Sequence, residues 1–131
     1  MKTIITFGTF DLFHEGHLNI LERAKKMGDY LVVGVSSDEF NYRKKQRYPV
    51  IPQKSRMDIV RALKCVDEVF LEESMEEKQA YIQKHNASIF TIGDDWRGKF
   101  DMGDTCEIIY LPRTEGTSTT EILKKILAMS R

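Results

Sequence analysis

The chain has two cysteines in 131 residues, Cys65 and Cys106, too few for a disulfide framework. Each lies beside an apolar segment and reads as a reduced thiol of a cytoplasmic protein. No sign of charge dominates: Lys plus Arg total 20, as do Asp plus Glu. Non-specific nucleic-acid binding needs a dominant basic surface, so no nucleic acid is expected as a partner. No apolar run approaches the roughly 18 residues of a membrane span, so no membrane partner is expected. Met1-Lys2-Thr3 leads straight into a strand-like pattern without an apolar h-region, so no signal peptide is expected. Repeats, low-complexity tracts and Pro/Gly/Ser-rich linkers are missing too, and residues 1–131 are expected to form one domain.

What is present is enough Ile, Leu, Val and Phe to fill one core, with 41% hydrophobic and 31% charged residues. The apolar run Ile4-Ile5-Thr6-Phe7 predicts a buried strand ending at Gly8. Leu18, Leu21, Ala24 and Met27 recur at helical spacing, and Gly28 follows as an expected helix stop. Further strands are predicted over 30–35, 66–71, 88–93 and 107–111. The stretch 41–54, with Pro49 and Pro52, is expected to be a basic loop. Helices are expected to start at Ser55, at the Ser74-x-x-Glu77 capping box and at the Ser118-x-x-Glu121 box. Alternating helices and strands that are apolar throughout predict an α/β fold. It is a Rossmann-like, doubly wound, parallel five-stranded sheet with helices on both faces. Ligands in such folds sit beyond the carboxyl ends of the strands, so the loops there carry the search.

The first of these loops reads Gly8-Thr9-Phe10-Asp11-Leu12-Phe13-His14-Glu15-Gly16-His17. It is neither a dinucleotide fingerprint nor a P-loop. It places two histidines at a helix N-terminus, where unpaired N–H groups and the dipole favour anions. Zinc fails on ligand count: His14 and His17 are one residue short of H-E-x-x-H spacing, and neither cysteine is near. The last loop reads Arg113-Thr114-Glu115-Gly116-Thr117-Ser118-Thr119-Thr120. Its hydroxyls, guanidinium and helix start suit a polyphosphate. Two anion sites on one sheet edge outweigh reading either as a solvated turn. Asp94, Asp95 and Trp96 follow a strand on the same ligand edge, which favours a functional role over a turn with an exposed tryptophan.

G-T-F-D-x-x-H-x-G-H and R-T-x-G-x-S-T-T, both complete, resemble the cytidylyltransferases of the nucleotidyltransferase superfamily. Gly93-Asp94-Asp95-Trp96 followed by Gly98-Lys99-Phe100-Asp101 resembles the bacterial glycerol-3-phosphate cytidylyltransferases, and the resemblance covers essentially the whole chain. It implies transfer of CMP from CTP to glycerol 3-phosphate, giving CDP-glycerol and pyrophosphate for teichoic-acid or other surface-polymer synthesis. It implies that His14, His17, Lys44 and Arg113 are catalytic. Gly8, Thr9, Phe10 and Asp11 would contact the nucleotide, with Asp94 or Asp95 on the cytosine. Arg113, Thr114, Glu115, Gly116, Thr117, Ser118, Thr119 and Thr120 would hold the phosphates. Lys44 and Lys78 would meet the glycerol phosphate. Mg2+ is expected with CTP, together with a cytoplasmic homodimer.

One stretch departs from the family pattern. Arg43-Lys44-Lys45-Gln46-Arg47 carries one extra residue, which leaves the register of Lys44 against Lys45 open. The following Pro49-Val50-Ile51 resembles the choline- and ethanolamine-phosphate branch. The alternatives are cytidylyl transfer to another phosphorylated alcohol (choline, ethanolamine or polyol phosphate), or a non-catalytic nucleotide-binding module. Adenylyl transfer is opposed by the R-T-x-G-x-S-T-T block.

Overall fold

A computed structural model describes residues 1–93, 106–112 and 118–130. Five strands, β1 (Thr3–Gly8), β2 (Tyr30–Ser36), β3 (Glu68–Glu72), β4 (Ile89–Gly93) and β5 (Glu107–Leu111), form one sheet in the order β3-β2-β1-β4-β5. Every pairing is parallel, with Ile4 opposite Leu31 on β2 and opposite Ile89 on β4. Successive side chains on a strand point to opposite faces. Ile4 therefore joins Leu31, Val33, Leu21 and Val60 in one core cluster, while Ile5 joins Val32, Phe90 and Ile82 in another. A sheet that feeds a core on each face is doubly wound, as the apolar strand runs predict.

The first core is roofed by α1 (Glu15–Lys25) and α3 (Gln53–Arg61), the second by α4 (Lys78–Lys84). Two more helices, α2 (Asp38–Lys45) and α5 (Thr119–Met129), stand at the carboxyl edge of the sheet. Ser118 caps α5 as expected, its Oγ accepting from the Glu121 N–H at 3.1 Å.

Four local expectations need correction. Residues 41–45 of the predicted basic loop belong to α2, which starts at Asp38, so the loop is shorter than expected. The Ser37 hydroxyl accepts from the Phe40 N–H at 3.0 Å. Asp38 and Glu39 open the helix, and Arg43, Lys44 and Lys45 close it, matching the dipole at both ends. Gln46, left-handed at φ 60°, ends it before the prolines. Second, α3 starts at Gln53 after Pro52, two residues before the expected Ser55. Third, the Ser74 hydroxyl does accept from the Glu77 N–H, at 3.3 Å, but α4 begins only at Lys78. Fourth, Gly28 is not the α1 stop, because α1 closes at Lys26 in right-handed conformation. A Cβ at Gly28 would lie 2.7 Å from the Lys2 carbonyl oxygen, so close backbone approach is what requires glycine there.

Candidate active site

β1 and β4 are neighbours whose connections leave in opposite directions, which makes their carboxyl ends the topological switch point of the sheet. A cleft of about 440 Å³ opens there. Gly8 and Gly93 form its floor, and the loop after β1 and the start of α5 form its walls.

The loop after β1 is held in a costly shape. Phe10 and Leu12 both take left-handed backbone, at φ 56° and 48°. Two anchors hold that turn. Phe10 is buried, its ring lying over Gly8, where a Cβ would meet it at 2.8 Å. Asp11 spends both carboxylate oxygens on backbone: Oδ1 accepts from Leu12 at 3.1 Å and Ile51 at 2.9 Å, and Oδ2 accepts from Val50 at 2.8 Å. The Asp11 carboxylate therefore fixes the loop.

His14 is the N-cap of α1, and the capping is reciprocal. His14 Nδ1 accepts from the Gly16 N–H at 3.0 Å, and His17 Nδ1 accepts from the His14 N–H at 3.2 Å. A nitrogen that accepts carries no proton. Each neutral ring therefore bears its proton on Nε2 and keeps that donor for a ligand. The rings stack at 3.8 Å. Burial lowers the pKa of His14 below its ordinary value. Burial, and then the neighbouring His14, pull His17 down to about 4, with Lys45 adding and Asp11 opposing. Both imidazoles are thus neutral donors at pH 7, which donate hydrogen bonds without adding charge.

The far wall is Ser118, Thr119 and Thr120, and Thr119 Oγ1 donates to the Asp11 carbonyl at 3.0 Å. The two sequence blocks, about a hundred residues apart, therefore meet through a direct bond. Lys45 and Arg47, both exposed, complete the cleft, and partial desolvation there lowers the pKa of Lys45. In the open register of the basic segment, Lys45 is the residue that faces the histidines.

Lys44 lies elsewhere. Its Nζ donates to Ser36 Oγ at 3.1 Å and sits 4.3 Å from the centre of the Phe40 ring. Burial brings its pKa to about 8, against the pull of Glu72. Lys78 is buried at the start of α4, with Nζ 2.6 Å from Glu72 Oε2 and 3.9 Å from the centre of the Phe7 ring. Lys44 and Lys78 therefore belong to one group at the ends of β2 and β3, next to the cleft through Phe7. Asp94, Asp95, Trp96, Arg113, Thr114, Glu115, Gly116 and Thr117 lie outside the described residues.

Sequence reading missed the residues that hold this edge together. Arg56 is fully buried. Its guanidinium donates to the carbonyls of Ile51, Thr9 and Ser36, each at 2.8 Å, and to Asp38 Oδ1 at 2.7 Å. The available signal was its spacing: Arg56 stands four residues before Val60, on the inward face of α3. Asn41, also buried, accepts from Thr9 Oγ1 at 2.8 Å and donates to the Arg47 carbonyl at 3.2 Å. Ser36 and Glu72 left no sequence signal beyond ending their strands.

Among the described residues, no three His, Cys, Asp or Glu side chains converge as a resident metal would require. A metal carried in on a triphosphate needs no such cage. Neutral donors at two helix N-termini, flanked by two cations, suit a polyanion whose charge is partly neutralised by its own counter-ion.

Comparison with known proteins agrees with this geometry. The profile of the cytidylyltransferase-like family matches residues 5–125. Glycerol-3-phosphate cytidylyltransferase of Bacillus spizizenii is 52% identical, over 98% of this chain and 100% of its own. Glycerol-3-phosphate cytidylyltransferase of Staphylococcus aureus is 44% identical, over 96% of each. Among solved structures, the lipopolysaccharide core biosynthesis protein of Thermoplasma volcanium superposes with a TM-score of 0.75 at 28% identity, covering 88% of this chain and 99% of that one. With the profile spanning most of the sequence and relatives aligned from end to end, the chain belongs to the cytidylyltransferase-like family.

Proposed function

We propose that this enzyme transfers CMP from CTP to glycerol 3-phosphate, releasing pyrophosphate and CDP-glycerol. The observation that carries the reading is the cleft itself. Two neutral histidine Nε2 donors at the start of α1 face the Ser118–Thr119–Thr120 start of α5 across one switch-point crevice. The full-length match to relatives named for this reaction supports the choice of substrates.

The chemistry needs little beyond positioning and charge. A phosphate oxygen of the acceptor, already ionised at neutral pH, attacks the α-phosphorus of CTP. The bond from that phosphorus to the bridging oxygen breaks, and pyrophosphate leaves with the electron pair. No general base is required, and charge rises on the leaving oxygens. His14 and His17 meet it with Nε2 donors. Ser118, Thr119, Thr120 and the α5 N-terminus hold the triphosphate, with Arg113, Thr114, Glu115, Gly116 and Thr117 of the same block. Gly8, Thr9, Phe10 and Asp11 shape the nucleotide turn, and Asp94 or Asp95 reads cytosine. Lys45 and Arg47 face the triphosphate. Lys44 and Lys78 take the acceptor's phosphate. Magnesium enters as part of the CTP substrate and offsets phosphate charge.

Glycerol 3-phosphate is favoured over choline or ethanolamine phosphate by the 52% and 44% identity to relatives named for it. Of the Pro49-Val50-Ile51 stretch, Pro49 lines the cleft, whereas the Val50 and Ile51 N–H groups are bound to Asp11 and Val50 is 59% exposed. The likeness of Val50 and Ile51 to the other branch therefore concerns loop architecture. We further propose that the enzyme works as a cytoplasmic homodimer feeding teichoic-acid or related surface-polymer synthesis. No helix among the described residues is long and apolar enough to cross a membrane.

The test is pyrophosphate release with magnesium, crossing CTP, ATP, GTP and UTP against glycerol 3-phosphate, phosphocholine and phosphoethanolamine. Release confined to CTP with glycerol 3-phosphate is expected. Preference for another alcohol phosphate would overturn the acceptor, and silence with every pair, from folded protein, would overturn the transfer. Light scattering on the eluting protein should give twice the chain mass; the mass of one chain removes the dimer.

A further inference from the structure

Glu72, the last residue of β3, is 1% exposed. Its Oε2 accepts from Lys78 Nζ at 2.6 Å, and its Oε1 accepts from Ser36 Oγ at 3.2 Å. The single Ser36 hydroxyl proton is thereby directed at Glu72. The oxygen's lone pair is left for Lys44 Nζ, which donates to it at 3.1 Å. One buried carboxylate thus addresses two ammonium groups, one directly and one through a hydroxyl.

A buried ion pair seldom repays its desolvation against a well-packed apolar pair, so its presence at the ligand edge of a sheet calls for a use. Burial works against the charge on both lysines, and in each case Glu72 pulls the other way. On the reading above, the acceptor's phosphate is a second anion that these two ammoniums meet. Glu72 itself cannot be a contact for that anion, because a carboxylate repels a phosphate and both its oxygens are engaged. We infer that Glu72 is a positioning residue for the acceptor's phosphate: it holds Lys78 and, through the Ser36 hydroxyl, Lys44 as a single two-pronged cationic clasp. This rests on the reading above that the acceptor is a phosphorylated alcohol.

The experiment is steady-state kinetics on the full chain, comparing wild type with Glu72→Gln, Lys78→Met, the double variant and Ser36→Ala. Glu72→Gln is expected to raise KM for glycerol 3-phosphate about tenfold while KM for CTP stays within about twofold, the loss of one charge-assisted hydrogen bond. The double variant should be no worse than Lys78→Met alone, because Glu72 acts through that lysine. Equal rises in both KM values, or additive losses in the double variant, would mean a merely structural pair and overturn the inference. Should Glu72→Gln not fold, Ser36→Ala carries the test. It cuts only the Lys44 arm and should raise the acceptor KM alone; an unchanged acceptor KM overturns the inference. Wild type that uses a different alcohol phosphate overturns only the acceptor assignment, and the same KM split is read with that acceptor. Wild type inactive with every acceptor overturns the transfer reading and this inference together.

Discussion

Acid should destabilise this fold through one imidazole. His17 titrates near 6.5 when the chain is unfolded and at about 4 when folded. Between those values the unfolded chain binds a proton that the native state refuses, so stability falls as pH falls. The slope is about 1.4 kcal/mol per pH unit inside the window. The full effect, about 3 kcal/mol, is complete only below pH 4, and above pH 6.5 the group contributes no slope. The structural cause is specific. A protonated Nδ1 could no longer accept from the His14 N–H, and a second imidazole is stacked 3.8 Å away. Urea unfolding at pH 7, 6 and 5, for wild type and His17→Asn, isolates the effect. The stability advantage of wild type over the variant should shrink by about 2 kcal/mol from pH 7 to 5. Histidine NMR should show His17 still neutral at pH 5. A His17 midpoint at pH 6 or above, or a wild-type advantage that does not change with pH, would refute the reasoning.

Other outcomes follow from the same geometry. Lys44, with a pKa of about 8, should lose its charge just above neutrality. From pH 7 to 9 the charged fraction falls about tenfold, and the acceptor KM should rise by a similar factor. Lys44→Arg, which stays charged, should flatten that profile, and an equally steep profile in the variant would assign the titration elsewhere. Arg56→Met should cost about 3–5 kcal/mol in denaturant unfolding, since it strands three carbonyls and the Asp38 carboxylate; a loss under about 1 kcal/mol would show that water replaces it. Gly28→Ala should lower stability by about 1–3 kcal/mol through its clash with the Lys2 carbonyl and Ile4. An unchanged melting temperature would mean that the 26–29 turn can shift.

The strands were the legible part of the sequence. Runs such as Ile4-Ile5-Thr6-Phe7 and Tyr30-Leu31-Val32-Val33 are apolar on both faces, and only a sheet covered on both sides uses such a pattern. The histidine loop was legible too, because its chemistry is local: a strand end, two glycines and a helix start within ten residues. Helix α2 was not. It buries only Phe40 and Asn41, so it has no apolar stripe, and its charge gradient resembles a solvated loop until the Ser37 cap is seen. The Glu72 group was invisible for another reason. Its members come from the ends of two strands, the last turn of α2 and the start of α4, and buried polar partners are chosen by tertiary proximity rather than by spacing.

The bonds of Arg56 limit how the enzyme can move. One side chain grips the loop after β1, the end of β2 and the segment before α3, and Asp11 and Asn41 stitch the same strips again. Backbone on this flank is therefore a fixed jaw. Adjustment to a changing phosphate geometry falls to the long arms mounted on it, Lys44, Lys45 and Arg47, whose swings cost rotamer changes instead of loop rearrangement. Such a jaw can be refitted for a different ligand by exchanging side chains while the frame stays as it is.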